Sequence, residues 1–111
     1  MKIKTSELTG SALDWAVAQC EGRTDRFWMN DSIYGCYSPS RYWGLGGPII
    51  DREKISTWPD DASTEWLAEY RFRRARDDEY FAGPTLLIAG LRCYVASKLG
   101  DEIDAPEELL K

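Results

Sequence analysis

The amino-acid sequence predicts a single α+β domain in which a small antiparallel sheet packs against an N-terminal helix and a buried C-terminal helix. Three observations support this fold class. Apolar residues recur at helical spacing between residues 12 and 20, a longer apolar run extends from 86 to 99, and aromatic segments separated by turn residues lie between them. This order of elements indicates an antiparallel sheet rather than a doubly wound parallel one.

Both predicted helices carry signals for their ends. Thr9 is placed to cap the first helix, and Gly22 follows where a glycine ends a helix. In the last helix Pro84 suits the first helical position and Gly100 is placed to end it. Because few of its residues are polar, we expect this helix to be buried on nearly all sides. One of its faces carries small residues that would let a neighbour approach closely: Ala89, Gly90, Cys93 and Ala96.

The strands are predicted from aromatic and alternating segments. Residues 26–37 have the pattern of a β-hairpin with a polar turn at 30–32. Residues 54–58 and 65–70 predict two further strands, separated by a turn that contains Pro59.

A glycine-rich segment, residues 44–48, lies between the hairpin and these strands. A short helical turn is expected after Pro39, and a second short helix is expected to start at Pro48. The segment between them is predicted to be a flexible turn.

Charge divides the chain into three parts. Residues 1–100 are predicted to form the single domain, and within it residues 71–82 predict a charged loop insertion. Residues 101–111 hold five acidic residues and one lysine, and they predict an acidic C-terminal tail.

The composition excludes several classes of function. The chain has 111 residues, 19 acidic and 14 basic side chains and a net charge of −5, so a basic surface for duplex nucleic acid is not expected. No apolar run approaches the length of a membrane span, and the first residues lack the pattern of a signal peptide. Three widely separated cysteines predict reduced thiols rather than a disulfide framework or a zinc site. We therefore expect an intracellular protein.

The absence of histidine removes the usual general base at neutral pH. The acidic pairs Asp51 with Glu53 and Asp60 with Asp61 would be the alternative basis for a metal-dependent hydrolase. Paired acids are common on protein surfaces, so we predict no catalytic residue, no metal ligand and no cofactor.

The glycine-rich segment is one candidate binding feature. It could present backbone N–H groups to an anion before a helix N-terminus, although no P-loop Lys-Ser or Lys-Thr follows it. The alternative is a tight turn that needs glycine for its backbone conformation. The chain is also rich in aromatic residues, including Trp43, which could stack on a nucleobase, anchor a protein partner or fill the core.

Arg92 is a charged residue in an otherwise apolar helix. A buried arginine needs a partner. Two interpretations remain open: a structural ion pair with Asp14 or Asp51, and an anchor for an anionic ligand near the glycine-rich segment. Combining these features, we predict a ligand-binding site formed by Trp43, Gly46, Gly47, Pro48, Arg52, Thr85 and Arg92.

Three blocks of the sequence resemble the small phage proteins of the NinX type, from the Nin region of lambdoid phages and related prophages. The blocks are residues 5–18, residues 37–53 with their Tyr-Ser-Pro-Ser and Gly-Gly-Pro-Ile-Ile-Asp-Arg-Glu motifs, and residues 83–102. The resemblance covers most of the chain and departs from the family at 71–79. It implies phage or prophage origin and action in a bacterial cytoplasm, and it carries no catalytic residue.

Two hypotheses about function follow. The first is a non-catalytic phage accessory protein that acts in the host cytoplasm as a homo-oligomer and binds a nucleotide-like small molecule, such as a host defence signal. Under this hypothesis neither duplex nucleic acid nor a membrane is a partner. The second is a protein–protein inhibitor or adaptor of a host enzyme, with the acidic tail and the arginine-rich segment as contact surfaces.

Overall fold

The computed structural model describes residues 2–22, 30–31, 35–70 and 80–105, and it confirms the α+β class. The strands pair in antiparallel fashion. In chain order the elements are β1 (Lys2–Lys4), a 3₁₀ helix (Thr5–Glu7), α1 (Gly10–Cys20), β2 (Asn30–Asp31), β3 (Gly35–Cys36), α2 (Trp43–Glu53), β4 (Ile55–Pro59), β5 (Trp66–Tyr70), β6 (Phe81–Gly83), α3 (Leu86–Leu99) and β7 (Glu102–Asp104).

The helix α3 lies at the centre of the fold, as the sequence predicts. It contacts α1, α2 and all three strands of the β4–β5–β6 sheet. Its start differs slightly from the prediction, because Thr85 is the N-cap and Pro84 precedes the helix. Gly100 ends it with a left-handed φ of 91°. The buried residues of α3 cover most of its circumference: Leu87, Ala89, Gly90, Leu91, Cys93, Tyr94 and Val95.

The helix α1 follows the predicted pattern and buries its apolar face against α3. Thr9 occupies the N-cap position with extended backbone, but its side chain makes no capping hydrogen bond. Gly22 follows the helix with a φ of 80°. The buried carboxylate of Asp14 accepts a hydrogen bond of 2.9 Å from the backbone N–H of Ser40, which connects α1 to the turn before α2.

The predicted flexible turn at residues 44–48 is wrong, because this segment lies inside α2. Pro48 lies within the helix rather than at its start. The glycines serve close packing instead of turn geometry: a Cβ atom on Gly46 would lie 2.3 Å from the Pro39 carbonyl oxygen and 2.9 Å from Leu87 Cδ2. Burial of this helix against α3 therefore overrides the low helix propensity of glycine and proline.

The predicted strands at 54–58 and 65–70 are confirmed as β4 and β5, which pair from Ile55 with Tyr70 to Pro59 with Trp66. The sheet has a third strand, β6, whose residues 81–82 were expected in the charged loop. The loop prediction is therefore wrong at its C-terminal end, and residues 71–79 lie outside the described residues.

The predicted hairpin is seen in part. The strands β2 and β3 pair Asn30 with Cys36 and Asp31 with Gly35. Residues 30 and 31, which the sequence places in the turn, belong to a strand instead. Residues 26–29 and 32–34 of the predicted hairpin lie outside the described residues.

The predicted acidic tail begins as a strand, which corrects its boundary. The strand β7 pairs with β1 in the register Lys2 with Asp104, Ile3 with Ile103 and Lys4 with Glu102. Ile103 is buried, and two acidic residues lie opposite lysines. Cross-strand pairs of opposite charge stabilise a sheet. The first and last described strands are thus paired with each other.

Candidate functional site

The most exposed large apolar side chain in the described part of the chain borders an open groove. Trp43 is 60% exposed, and the groove beside it has a volume of about 460 Å³. We call this feature the Trp43 groove. It lies between α2, β4 and the first residue of α3, and it is lined by Trp43, Gly47, Ile50, Asp51, Lys54, Ile55, Thr57 and Leu86.

One face of α2 forms the length of the groove. Trp43, Gly47, Ile50 and Lys54 follow each other at spacings of four, three and four residues, which places them on the same side of a helix. A Cβ atom on Gly47 would lie 3.0 Å from Cε3 of Trp43, so the indole ring lies over this glycine. The absence of a side chain at Gly47 thus allows the ring to lie along the helix toward Lys54.

The floor of the groove depends on a close approach of α2 to α3. Ile50 is buried, and its Cδ1 atom would lie 2.6 Å from a Cβ atom on Gly90. The small-residue face of α3 therefore receives an isoleucine of the same chain, and its Gly90 is not available to a second subunit. Leu86 and Ile55 complete an apolar surface around this contact.

The rim of the groove carries one negative and one positive side chain. Asp51 and Lys54 are both exposed, and neither has an ion-pair partner among the residues that the structure describes. Lys54 is the C-cap of α2 and adopts a left-handed conformation with φ 58° and ψ 39°. The arrangement offers a flat aromatic surface, an apolar floor, a hydrogen-bond acceptor and a cation to one ligand.

The family model described as Bacteriophage P22, NinX matches residues 4–98 of this chain. The chain belongs to the NinX family. The match includes every residue that lines the Trp43 groove and ends before β7. It confirms the resemblance that the three sequence blocks indicated. Comparison with curated proteins gives no match. Within the described ranges of this NinX-family chain, no helix is long and apolar enough to cross a membrane.

The structure brings together only some of the predicted site residues of this NinX protein. Trp43 and Gly47 line the groove. Gly46 faces the opposite direction, into the contact with Pro39 and Leu87, and its backbone N–H donates to the Tyr42 carbonyl at 2.9 Å. It therefore has no free N–H for an anion. Pro48 is exposed and does not line the groove.

Arg52 belongs to a separate network that joins the C-terminal ends of α1 and α2 to Tyr94 in α3 and Tyr70 in β5. Its guanidinium donates to both carboxylate oxygens of Glu21, at 3.1 and 2.7 Å, and to Glu53 Oε2 at 3.0 Å. The hydroxyl of Tyr94 also donates to Glu21, and that of Tyr70 donates to Glu53 at 3.0 Å. With its donors committed to carboxylates of the chain, Arg52 is a structural residue and does not reach the groove.

The network changes the protonation of its members. The hydrogen bond from Arg52 lowers the pKa of Glu21 against the opposing effect of burial. Burial raises the pKa of Glu53, but hydrogen bonds from Arg52 and Tyr70 outweigh it and lower the value overall. Burial, together with the bond to Glu21, raises the pKa of Tyr94. At neutral pH the two carboxylates are therefore ionised and the tyrosine is neutral.

Neither interpretation of Arg92 that the sequence leaves open describes its contacts. Its Nε donates to the carbonyl of Leu8 at 2.6 Å and its Nη1 donates to the carbonyl of Ala82 at 2.7 Å. Burial lowers the pKa of its guanidinium. The side chain connects the segment before α1 to β6, and neither Asp14 nor Asp51 is its partner in these bonds.

Thr85 has a capping role beside the groove. Its Oγ1 accepts a hydrogen bond of 3.1 Å from the Ile88 N–H, which satisfies one of the free donors at the start of α3. The neighbouring Leu86 lines the groove, so Thr85 positions the wall without being part of it.

A second cleft lies on another part of the surface. It has a volume of about 590 Å³ and is lined by Lys4, Thr5, Ser6, Tyr80, Phe81, Asp101 and Glu102. Its charges are mixed, and the Thr5 hydroxyl donates to the Asp101 carbonyl at 3.1 Å. In the described ranges no three His, Cys, Asp or Glu side chains lie together as a metal site would require.

Sequence reasoning missed several groove residues, chiefly Ile50, Lys54 and Leu86. For Ile50 and Lys54 the signal was present, because they share the helical spacing of Trp43 and Gly47. It was hidden by the expectation that residues 44–48 interrupt the helix. Leu86 belongs to α3 and comes to the groove through the tertiary fold.

Proposed function

We propose that this NinX-family protein is a non-catalytic phage accessory protein that acts in the host cytoplasm and sequesters a nucleotide-like small molecule, such as a host defence signal, in the Trp43 groove. The observation that carries the proposal is the placement of an indole ring, 60% exposed, over Gly47 beside an apolar floor. A flat aromatic ring in this position suits stacking on a nucleobase, which is favourable for every base.

The dimensions and charge of the groove support the same proposal. Its volume of about 460 Å³ lies within the usual range of small-molecule sites, about 300–1,000 Å³. Asp51 could accept hydrogen bonds from ribose hydroxyls, as acidic residues do in other nucleotide sites. The net charge of −5 argues against duplex nucleic acid as the partner.

Binding without turnover is favoured by the state of the acidic groups. Glu21 and Glu53 accept hydrogen bonds within the chain, and their lowered pKa values make them poor proton donors at neutral pH. Among the described residues, Asp51 is the one carboxylate that lines the groove. One carboxylate and one lysine, with no second carboxylate beside them in the described part of the chain, give little basis for metal-dependent hydrolysis.

A second candidate is an inhibitor or adaptor that docks on a host protein. Tyr42, 39% exposed, precedes Trp43 in the sequence, so two exposed aromatic residues lie at the start of α2. Exposed aromatic residues are frequent anchors of protein interfaces. In this case the groove would receive a side chain of the partner rather than a free ligand.

Native mass spectrometry of the protein purified from a bacterial lysate tests the proposal, with Trp43→Ala and Tyr80→Ala as a matched pair. The two aromatic residues are exposed to similar extents, 60% and 58%, and Tyr80 lines the second cleft instead. We expect the native protein to retain or take up a nucleotide-like mass, Trp43→Ala to lose it and Tyr80→Ala to keep it. The same spectra give the oligomeric state, for which we propose a homo-oligomer.

If nucleotides added to the purified protein produce no bound species, the small-molecule proposal is wrong. If Trp43→Ala then also loses a host protein in a pull-down that Tyr80→Ala retains, the adaptor function replaces it.

A further inference from the structure

Lys54 combines an unfavourable backbone conformation with a position at the groove. Among the described residues it is the one non-glycine residue with a positive φ, at 58°. Glycine is the usual residue where a helix ends in this conformation, because a Cβ atom makes it unfavourable. Because glycine would end the helix with less strain, we look for a role of the lysine side chain other than helix termination.

The helix end itself does not use the lysine side chain. The backbone N–H of Lys54 donates to the carbonyl of Asp51 at 3.2 Å and is also directed at that of Ile50. Glycine could make the same backbone bonds without the strain. Unfavourable backbone conformations persist where a side chain is needed for function.

Among the residues that the structure describes, Lys54 is the one cation that lines the groove. Arg52 is bound to Glu21 and Glu53, and Arg92 is bound to the carbonyls of Leu8 and Ala82. Lys54 lines the groove and has no ion-pair partner among the described residues. None of the described residues therefore neutralises its ammonium group, which can pair with an anionic ligand in the groove.

The spacing along α2 relates this cation to the aromatic surface. The Trp43 ring lies over Gly47, and seven residues separate Gly47 from Lys54. At 1.5 Å per residue this corresponds to about 10 Å along the helix. A long, flexible lysine side chain shortens the gap further, so one nucleotide could place its base on the ring and its phosphate at the ammonium group.

We propose that Lys54 is the anion-recognition residue of the Trp43 groove and that the ligand is accordingly a phosphorylated nucleoside rather than a neutral or cationic aromatic molecule. This inference rests on the proposed function and specifies its ligand class. Asp51 on the same rim would repel a phosphate placed beside it, but it could accept hydrogen bonds from sugar hydroxyls. The phosphate is therefore expected at Lys54 and the sugar at Asp51.

The test compares binding of the four ribonucleoside 5′-monophosphates with binding of the corresponding nucleosides, by calorimetry on the full chain. We expect the wild type to bind at least one monophosphate roughly tenfold more tightly than its nucleoside. Lys54→Gly and Lys54→Met should both lose this preference, and Lys54→Arg should keep most of it. Lys2→Met, which removes an exposed lysine on β1, should bind as the wild type does.

Thermal unfolding of the same variants separates recognition from folding. Lys54→Gly should unfold at a higher temperature than the wild type because it relieves the left-handed strain, and Lys54→Met should not. A variant that gains stability while losing the phosphate preference cannot have lost it through misfolding.

The outcomes distinguish the two proposals. If the wild type binds a nucleoside and its monophosphate equally well, or if Lys54→Gly keeps the preference, the role of Lys54 is wrong while nucleoside binding stands. If the wild type binds no nucleoside and no monophosphate, the proposed function itself fails.

Discussion

Adjacent glycines in α2 have opposite surroundings, which shows how much of this fold is decided at single positions. Gly46 lies against the Pro39 backbone and Leu87, whereas Gly47 lies under an exposed indole ring. A methyl group at position 46 would have to displace backbone, and a methyl group at position 47 would displace only a ring that is free to move outward. The two positions are indistinguishable in the sequence.

We expect Gly46→Ala to lower the free energy of unfolding by about 1–3 kcal/mol, the usual effect of overpacking. Gly47→Ala should leave it unchanged or raise it by up to about 1 kcal/mol, because alanine is the better helix former. Urea unfolding followed by circular dichroism measures both. Equal stabilities of the two variants would contradict the packing of Gly46 between the Pro39 turn and α3.

The hydrogen-bond partners of Arg92 could not be predicted from the sequence. The sequence showed that a charged side chain in a buried helix needs compensation, and this requirement is met. It could not show that the compensation comes from two backbone carbonyls, at Leu8 and Ala82, because these belong to segments far apart in the chain. A sequence can show that a buried charged side chain requires a hydrogen-bond or ion-pair partner. Which residue serves as that partner depends on the tertiary structure.

At the scale of elements, the local patterns predicted the parts with a clear apolar signal. The helix α1 and the strands β4 and β5 were predicted from apolar spacing, α3 was predicted from its long apolar run, and the structure confirms all four. The helix α2 could not be predicted across 44–48, because glycine and proline disfavour a helix unless close packing against α3 compensates. The strands β6 and β7 have three residues each, too few for a periodic signal.

The network of Glu21 and Arg52 connects the C-terminal ends of α1 and α2 with Tyr94 of α3, and it makes stability depend on pH. Because the pKa of Glu21 in the folded protein lies below its ordinary value of 4.5, the folded state binds this proton less readily than the unfolded state does. The ion pair therefore stabilises the fold fully above that value. The contribution is lost as the pH falls through the lowered pKa.

We expect Glu21→Gln to reduce the unfolding free energy at neutral pH by up to about 1 kcal/mol, a modest value because Arg52 is half exposed. The difference from the wild type should shrink as the pH falls from about 6 to about 3, since the wild-type carboxylate becomes protonated. Urea unfolding across this range measures it, with the exposed Asp61→Asn as the control. A difference that stays constant with pH would show that the bidentate ion pair contributes nothing.

At the scale of the whole molecule, the first and the last described strands pair with each other. The strand β1 pairs with β7, and the Thr5 backbone N–H continues this connection with a bond of 2.8 Å to the Asp101 carbonyl. Closure by strand pairing places Ile3 opposite Ile103 and brings the latter into the core. Composition alone suggested a solvated tail here, because the charged residues outnumber the single buried isoleucine that directs the segment inward.

Replacement of Ile103 tests whether the pairing of β1 with β7 is part of the cooperatively folded domain. Ile103→Ala removes most of a side chain that is 8% exposed, and such deletions cost about 2–5 kcal/mol when the cavity does not collapse. We expect a loss at the lower end of this range, because the strand lies at the surface and can relax.

Glu102→Gln, on the exposed face of the same strand, should lose less than about 1 kcal/mol, the contribution of one cross-strand charge pair with Lys4. Urea unfolding monitored by tryptophan fluorescence compares the two. An Ile103→Ala protein as stable as the wild type would mean that residues 101–105 are peripheral, as a tail would be, and that the domain ends with α3.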